Sequence, residues 1–182
     1  MTTKLNIDQL SDEELMANFI HQKDQKSFEL LYQRYFDSLS KYLGWLNNDL
    51  GKGKDIAQNI FLKIYQKPNS FDYSKVFKIW LFSIAKNQTK NEWRNEALRI
   101  KHQNLFSDQQ KITASQNIPN DTRLRDLKSA LDSLSENHRE VFVLKYSNNL
   151  TIQEISEICN CSVGTVKSRL FYALQKLKNK LS

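Results

Sequence analysis

Apolar residues recur along this chain at spacings of three and four, the period of a helix with one buried face. Ser11 and Glu14 form a capping box that opens a helix, with Leu15, Met16, Phe19 and Ile20 turned inward. A second helix from about Ser27 carries Phe28, Leu31, Tyr32, Tyr35, Leu39, Tyr42 and Leu43 on one broad face. Residues 47–54, with Gly51 and Gly53, read as a loop. A third helix is expected from Asp55 to just before Pro68, then a short aromatic loop over residues 69–75. A fourth helix starts near Val76 and runs into the nineties. Periodicity fades over residues 98–122, which are rich in Gln, Asn, Ser and Lys and include Pro119. This reads as a flexible linker, with at most a short helical piece around Leu105 and Phe106. It resumes at Leu124, Leu127, Leu131 and Leu134. Ser135 then caps a helix with Val141, Phe142 and Leu144 inward. The fold class is therefore all-α: two small helical domains, 1–97 and 123–182, joined by a linker over 98–122.

Residues 151–177 predict a helix, a tight turn and a second helix. Thr151 and Glu154 form a second capping box, and Ile152, Ile155 and Ile158 supply the stripe. Asn160 tolerates the left-handed conformation that ends a helix, and Ser162 can cap the next one. Val166, Leu170, Ala173, Leu174 and Leu177 then fall on one face. The opposite face carries Gly164, Thr165, Lys167, Ser168 and Phe171, with Arg169 adjacent. From Asn160 onward there are Lys and Arg residues and no acid. A helix with an inward apolar face and an outward polar, basic one suits the major groove. Cations meet phosphates there, and Thr165 and Ser168 can reach base edges.

Composition sharpens this reading. The chain has 182 residues, is 40% apolar and 26% charged, and carries a net charge of +7. That marks a globular protein for which a polyanion is a plausible partner. The four Gly and two Pro are too few for a turn-rich β fold. Cys159 and Cys161 are too close for an unstrained disulfide and lack further ligands for zinc, so both are expected to be reduced thiols. With no apolar leader or span-length run, the expected location is cytoplasmic. None of His21, His102 and His138 lies near a carboxylate pair or a Gly-rich phosphate loop. The reading is of no enzyme, no metal and no cofactor.

Two constellations stand out in the first half. On the helix from Asp55, one face holds Asp55, Gln58, Asn59 and Leu62, an apolar side chain ringed by polar groups. This is the pattern of a protein-binding hot spot, and equally that of a lone exposed leucine. Residues 73–91 interleave Lys75, Lys78, Lys86 and Lys90 with Tyr73, Phe77, Trp80 and Phe82, without an acid. Lys86 and Lys90 are one helical turn apart. Cations beside rings can hold unstacked bases, and Ser74 and Asn87 add polar contacts. The plainer alternative is that the aromatics are core.

The segments SFELLYQRYF, DIAQNIFLKIY, FKIWLFSIAKN, LDSLSENHREVFVLKY and EISEICNCSVGTVKSRLFYAL together resemble the extracytoplasmic-function sigma factors of bacterial RNA polymerase, over nearly the whole chain except the linker. The resemblance implies that the first domain binds core polymerase and melts the minus-ten element, while the second reads the minus-thirty-five element. It puts Asp55, Gln58, Asn59 and Leu62 on the polymerase clamp. Ser74, Phe77 and Asn87 match positions that hold the flipped minus-ten base, within a set completed by Lys75, Lys78, Trp80, Lys86 and Lys90. Lys167, Ser168 and Phe171, flanked by Thr165 and Arg169, match the recognition helix. It also leaves room for an anti-sigma partner that clamps the domains together. Three departures from the family pattern are visible: Asn59 where a Glu is usual, Ser135 where a Pro is usual, and Asn160 where a Gly is usual. Two rival classes remain: a helix-turn-helix repressor or activator that acts without recruiting core polymerase, and an enzyme on nucleic acid.

Overall fold

The computed structural model describes residues 7–103 and 122–181, and among them there are helices and turns and no strand. Helix α1 (Asp12–Gln22) opens on the expected box: Ser11 Oγ accepts from the Glu14 N–H, and the Ser11 N–H donates to Glu14 Oε2 at 2.8 Å. Helix α2 (Gln25–Asn47) starts from Asp24, whose carboxylate accepts from the Lys26 N–H, and ends at Asn48 in the left-handed region, φ 56°.

Helix α3 (Leu50–Gln66) corrects the sequence reading, which had placed a loop over residues 47–54. Asp49 caps it by accepting from the Lys52 N–H at 3.1 Å. Its Gly53 is present for tertiary packing. A Cβ there would stand 2.3 Å from the Gly44 nitrogen and 2.6 Å from the Ser40 carbonyl oxygen, so α2 and α3 meet backbone to backbone. A glycine that looks like a helix breaker locally is thus required by a close crossing.

Helix α4 (Phe77–Gln103) extends through residues 98–103, which the pattern had assigned to the linker. The expected short piece at Leu105 and Phe106 lies outside the described residues, as does Pro119. The start of α4 is set from a distance, because the Phe77 N–H donates to Glu13 Oε1 of α1 at 2.7 Å. A carboxylate there also complements the positive end of the helix dipole.

The second domain comprises α5 (Thr122–Asp132), α6 (Glu136–Tyr146), α7 (Ile152–Cys159) and α8 (Val163–Leu181). Ser135 sits at the N-cap of α6 without a side-chain bond to the helix backbone; its hydroxyl instead meets His138 Nδ1 at 2.9 Å. Thr151 and Glu154 make the full capping box of α7, and Asn160 closes it at φ 49°. Ser162 Oγ accepts from the Thr165 N–H, capping α8. Val166, Leu170, Ala173 and Leu177 are buried as the stripe requires, whereas Leu174 is exposed. On α6 the buried residues are Glu140, Val141, Val143 and Leu144; Phe142, expected inward, is half-buried.

One apolar cluster runs from Leu15 and Met16 of α1 through α2, α3 and α4 into Val141, Leu144, Ile155 and Leu170 of the second domain. A smaller cluster of Ala130, Leu131, Leu134, Ala173 and Leu177 is covered in part by Trp45 of α2. The two domains are therefore packed on each other. Among the described residues no helix is long and apolar enough to cross a membrane.

Candidate functional site

On α3 the inward positions Ile56, Ala57, Ile60, Phe61 and Ile64 are buried, which turns Asp55, Gln58, Asn59 and Leu62 outward together. Leu62 is 52% exposed, within a ring of polar side chains. Residues at i, i+3, i+4 and i+7 share one helix face, so the four make a single patch.

The outer face of α8 is similarly free. Lys167, Ser168 and Phe171 are exposed, and Phe171 is among the most exposed large apolar residues described. Thr165 and Arg169 are half-buried. Thr165 Oγ1 is 2.9 Å from Ser162 Oγ, and Arg169 Nη1 lies 3.8 Å from Cys161 Sγ. These two contacts tie the first two turns of α8 to the tight turn before it, while Lys167, Ser168 and Phe171 stand at the surface.

The basic and aromatic set of residues 73–91 divides in two. Ser74, Lys75, Asn87 and Lys90 are exposed. Ser74 donates from both its hydroxyl, at 2.7 Å, and its N–H, at 3.0 Å, to Asp72 Oδ1, which holds that carboxyl below the usual carboxylate range. Lys75 pairs loosely with the same carboxylate. Phe77 and Trp80, by contrast, are core. Phe77 is 1% exposed and packs edge-on to Phe71 and tilted against Tyr35 and Trp80, at centroid separations of 5.6, 5.6 and 5.7 Å. Neither ring is free to stack on a base in this arrangement. They instead support the loop that carries Ser74 and Lys75.

Lys86 and Lys78 are engaged by the second domain. The Lys86 ammonium, in a residue only 6% exposed, lies 3.5 Å from Glu140 Oε1 of α6 and donates to the Ile158 carbonyl in the last turn of α7 at 3.4 Å. The Tyr42 hydroxyl donates to the same Glu140 oxygen at 3.2 Å. Lys78 lies 3.6 Å from Glu154 Oε1. Glu154 divides its two oxygens: Oε2 accepts from the Thr151 N–H at 2.7 Å to cap α7, and Oε1 faces Lys78. At the rim, Arg139 donates to Asn48 Oδ1 at 2.6 Å. Burial pushes the Tyr42 hydroxyl far above its ordinary pKa, and the charge of Glu140 adds to it. Burial likewise pushes the Cys159 thiol up to about 12, with Glu140 again contributing. Cys159 is buried and Cys161 half-buried, and both are free thiols.

This seam was not legible in the sequence. Glu140 directly precedes the apolar Val141, Phe142 and Val143 on α6, and a carboxylate beside that run was the only available sign of it. Lys86 and Lys90 read as one exposed row, yet the structure exposes Lys90 and buries Lys86.

Comparison with known proteins agrees with this architecture. Residues 31–99 match the family model described as Sigma-70 region 2, and residues 124–177 match Sigma-70, region 4. The chain is 30% identical over 194 residues to the ECF RNA polymerase sigma-E factor of Haemophilus influenzae, covering 96% of this chain and 97% of that protein. It is also 30% identical over 185 residues to the sigma-E factor of Escherichia coli, covering 96% of each. Among solved structures, the sigma factor RpoE from Bartonella quintana, in complex with the anti-sigma factor NepR, superposes with a TM-score of 0.70 at 27% identity. That match covers 86% of this chain and 97% of the other. CnrH, in complex with the cytosolic domain of CnrY, shares the fold at the same TM-score and 23% identity.

Proposed function

The chain belongs to the extracytoplasmic-function sigma factors of bacterial RNA polymerase, and from that premise we propose how its surface is divided. It is an RNA polymerase sigma factor: its partners are core polymerase and promoter DNA, and it directs the first to the second. A repressor or activator acting without core polymerase is not favoured, since both sigma regions are present in order.

The α3 patch of Asp55, Gln58, Asn59 and Leu62 docks on core polymerase. Its support is a solvent-exposed leucine inside a polar ring, on a helix whose other face is fully spent on the core. The outer face of α8 takes the major groove of the upstream element. Lys167 meets phosphate or guanine, Ser168 a donor or acceptor, and Phe171 a thymine methyl. The loop and helix bearing Ser74, Lys75, Lys78, Asn87 and Lys90 take the unpaired minus-ten strand, with Lys86 joining them once it is exposed. Phe77 and Trp80 serve that surface from below, as its packing. The fold of the Bartonella RpoE complex also supports an anti-sigma factor as a third partner, and the expected site of action is the cytoplasm.

The observation that carries this reading is the match of both sigma regions, in order, to a chain that exposes the polar faces of α3 and α8. In vitro transcription with core polymerase over a promoter library tests it. Transcripts should start at one promoter class. Absence of binding to any bacterial core enzyme, with tight dimeric operator binding instead, would overturn it.

A further inference from the structure

Two lysines on one face of α4 meet two glutamates of the other domain. Lys86 is held between the Glu140 carboxylate, at 3.5 Å, and the carbonyl of Ile158, at 3.4 Å. That carbonyl belongs to the last turn of α7, the negative end of the helix dipole. Eight residues earlier on α4, Lys78 faces Glu154 at 3.6 Å. Between them on the same face lies Phe82, buried at 1% exposure. The second domain thus presents two negative groups along α4, as a nucleic-acid backbone presents its phosphates.

We propose that Glu140 and Glu154 act as an internal mimic of DNA phosphate: they occupy the lysines of α4 and withhold the minus-ten surface from single-stranded DNA until the domains part. The proposal rests on the reading of α4 as a strand-binding helix. Three further contacts fit it. Tyr42 donates to Glu140 from the first domain, so the carboxylate is oriented by the domain it blocks. Arg139 bonds Asn48 at the rim of the same seam. Lys90 and Asn87, which pair with no acid of the second domain among the described residues, remain exposed, so the block covers part of the row and can be displaced from its open end.

The block is selective. The α3 patch and the outer face of α8 are both exposed with the domains packed. Core polymerase and duplex DNA can therefore reach their surfaces first, and the strand-binding surface is released only afterwards. A free chain arranged this way is expected to ignore single-stranded DNA, which it would otherwise hold through sequence-independent phosphate contacts.

The test uses the full chain with Glu140→Gln and Glu154→Gln combined. Glutamine keeps a carbonyl oxygen for the Thr151 N–H, so α7 stays capped while the negative charge facing Lys78 is lost. Two quantities are read at low salt without polymerase: the radius of gyration by small-angle X-ray scattering, and binding of a fluorescein-labelled single-stranded DNA of random sequence. The variant should expand and bind about fivefold tighter or better than the natural chain, and adding Lys86→Gln should remove most of that gain. A variant that stays compact overturns the proposal, as does one that expands without binding better while Lys86→Gln still impairs promoter opening by the holoenzyme. In that second case the reading of α4 survives. If Lys86→Gln affects neither free binding nor holoenzyme opening, the reading of α4 has failed and the mimic with it. Should the double variant not fold, as judged by helicity, Glu154→Gln alone acts at a partly exposed pair and should give about a twofold gain. No gain from it overturns the proposal.

Discussion

Gly53 of α3 lies directly on Gly44 of α2, so close that an added Cβ would come 2.3 Å from the Gly44 nitrogen. The obstruction is backbone on both sides, which cannot rotate away. Gly53→Ala should therefore force the helices apart and cost about 2 kcal/mol or more, as overpacking does. Gly51 is the contrast. It is exposed, and the nearest atom to its Cβ position is an Asp49 carboxylate oxygen at 3.3 Å. Gly51→Ala should be neutral or stabilise by up to about 1 kcal/mol through helix propensity. Thermal unfolding of the two variants side by side reads the difference; equal melting temperatures would refute the close crossing.

Leu62→Ala should separate binding from stability. The side chain is half in solvent, so its loss should leave the melting temperature within a degree or two, while core affinity falls about tenfold or more if it is a hot spot. Affinity is read by competition with a labelled sigma factor for core enzyme. A large drop in melting temperature would place Leu62 in the core instead.

The two cysteines should react at very different rates. Cys161 is half-buried, whereas Cys159 is buried with its thiol pushed up to about 12. Iodoacetamide at neutral pH should modify Cys161 first and Cys159 only on opening of the seam, since the thiolate is the reactive form. Mass spectrometry of timed samples distinguishes them. Matched rates would contradict the packing of α7 on α4.

The same thiol sets an alkaline limit. Its folded pKa is raised above the ordinary 9.0, so its contribution to stability is complete below that value and declines as pH climbs towards about 12. Tyr42, raised by burial in the same seam, acts in the same direction at higher pH. Unfolding midpoints in denaturant should fall from about pH 9 upward. A midpoint that holds flat across that window would show that Cys159 and Tyr42 are solvated.

Lys167→Ala should weaken binding to intact duplex and, if the lysine reads a base, relax preference at one upstream position by about 1–3 kcal/mol. Asn87→Ala should spare duplex binding and slow strand opening. A template unpaired in advance at the minus-ten region should help Asn87→Ala in part and Lys167→Ala little. Rescue of Lys167→Ala by that template, with duplex affinity unchanged, would reverse the assignment of the two faces.

What could be read from the sequence was local. Both capping boxes, the Asn160 stop and the face of α8 are set by residues within a turn or two of each other, and all are present. The exposure of Asp55, Gln58, Asn59 and Leu62 followed from the same period. Features decided by distant neighbours were missed. Gly51 and Gly53 break helices on propensity, and the approach of α2 explains Gly53. Phe77 and Trp80 looked like exposed aromatics because their covering partners, Phe71 and Tyr35, come from a loop and another helix. Lys86 belongs to a basic row by spacing, yet its fate is set by Glu140, far along the chain and across the seam.

Glu154 gives one oxygen to the cap of α7 and the other to Lys78. Parting the domains therefore vacates one oxygen and leaves the cap whole. On the proposed release, the unit of α7 and α8 is therefore already folded, and nothing in it has to refold. Such a release would be a movement of rigid bodies, on the microsecond-to-millisecond scale of domain motion. Readiness would then be stored in the position of that unit rather than in its shape.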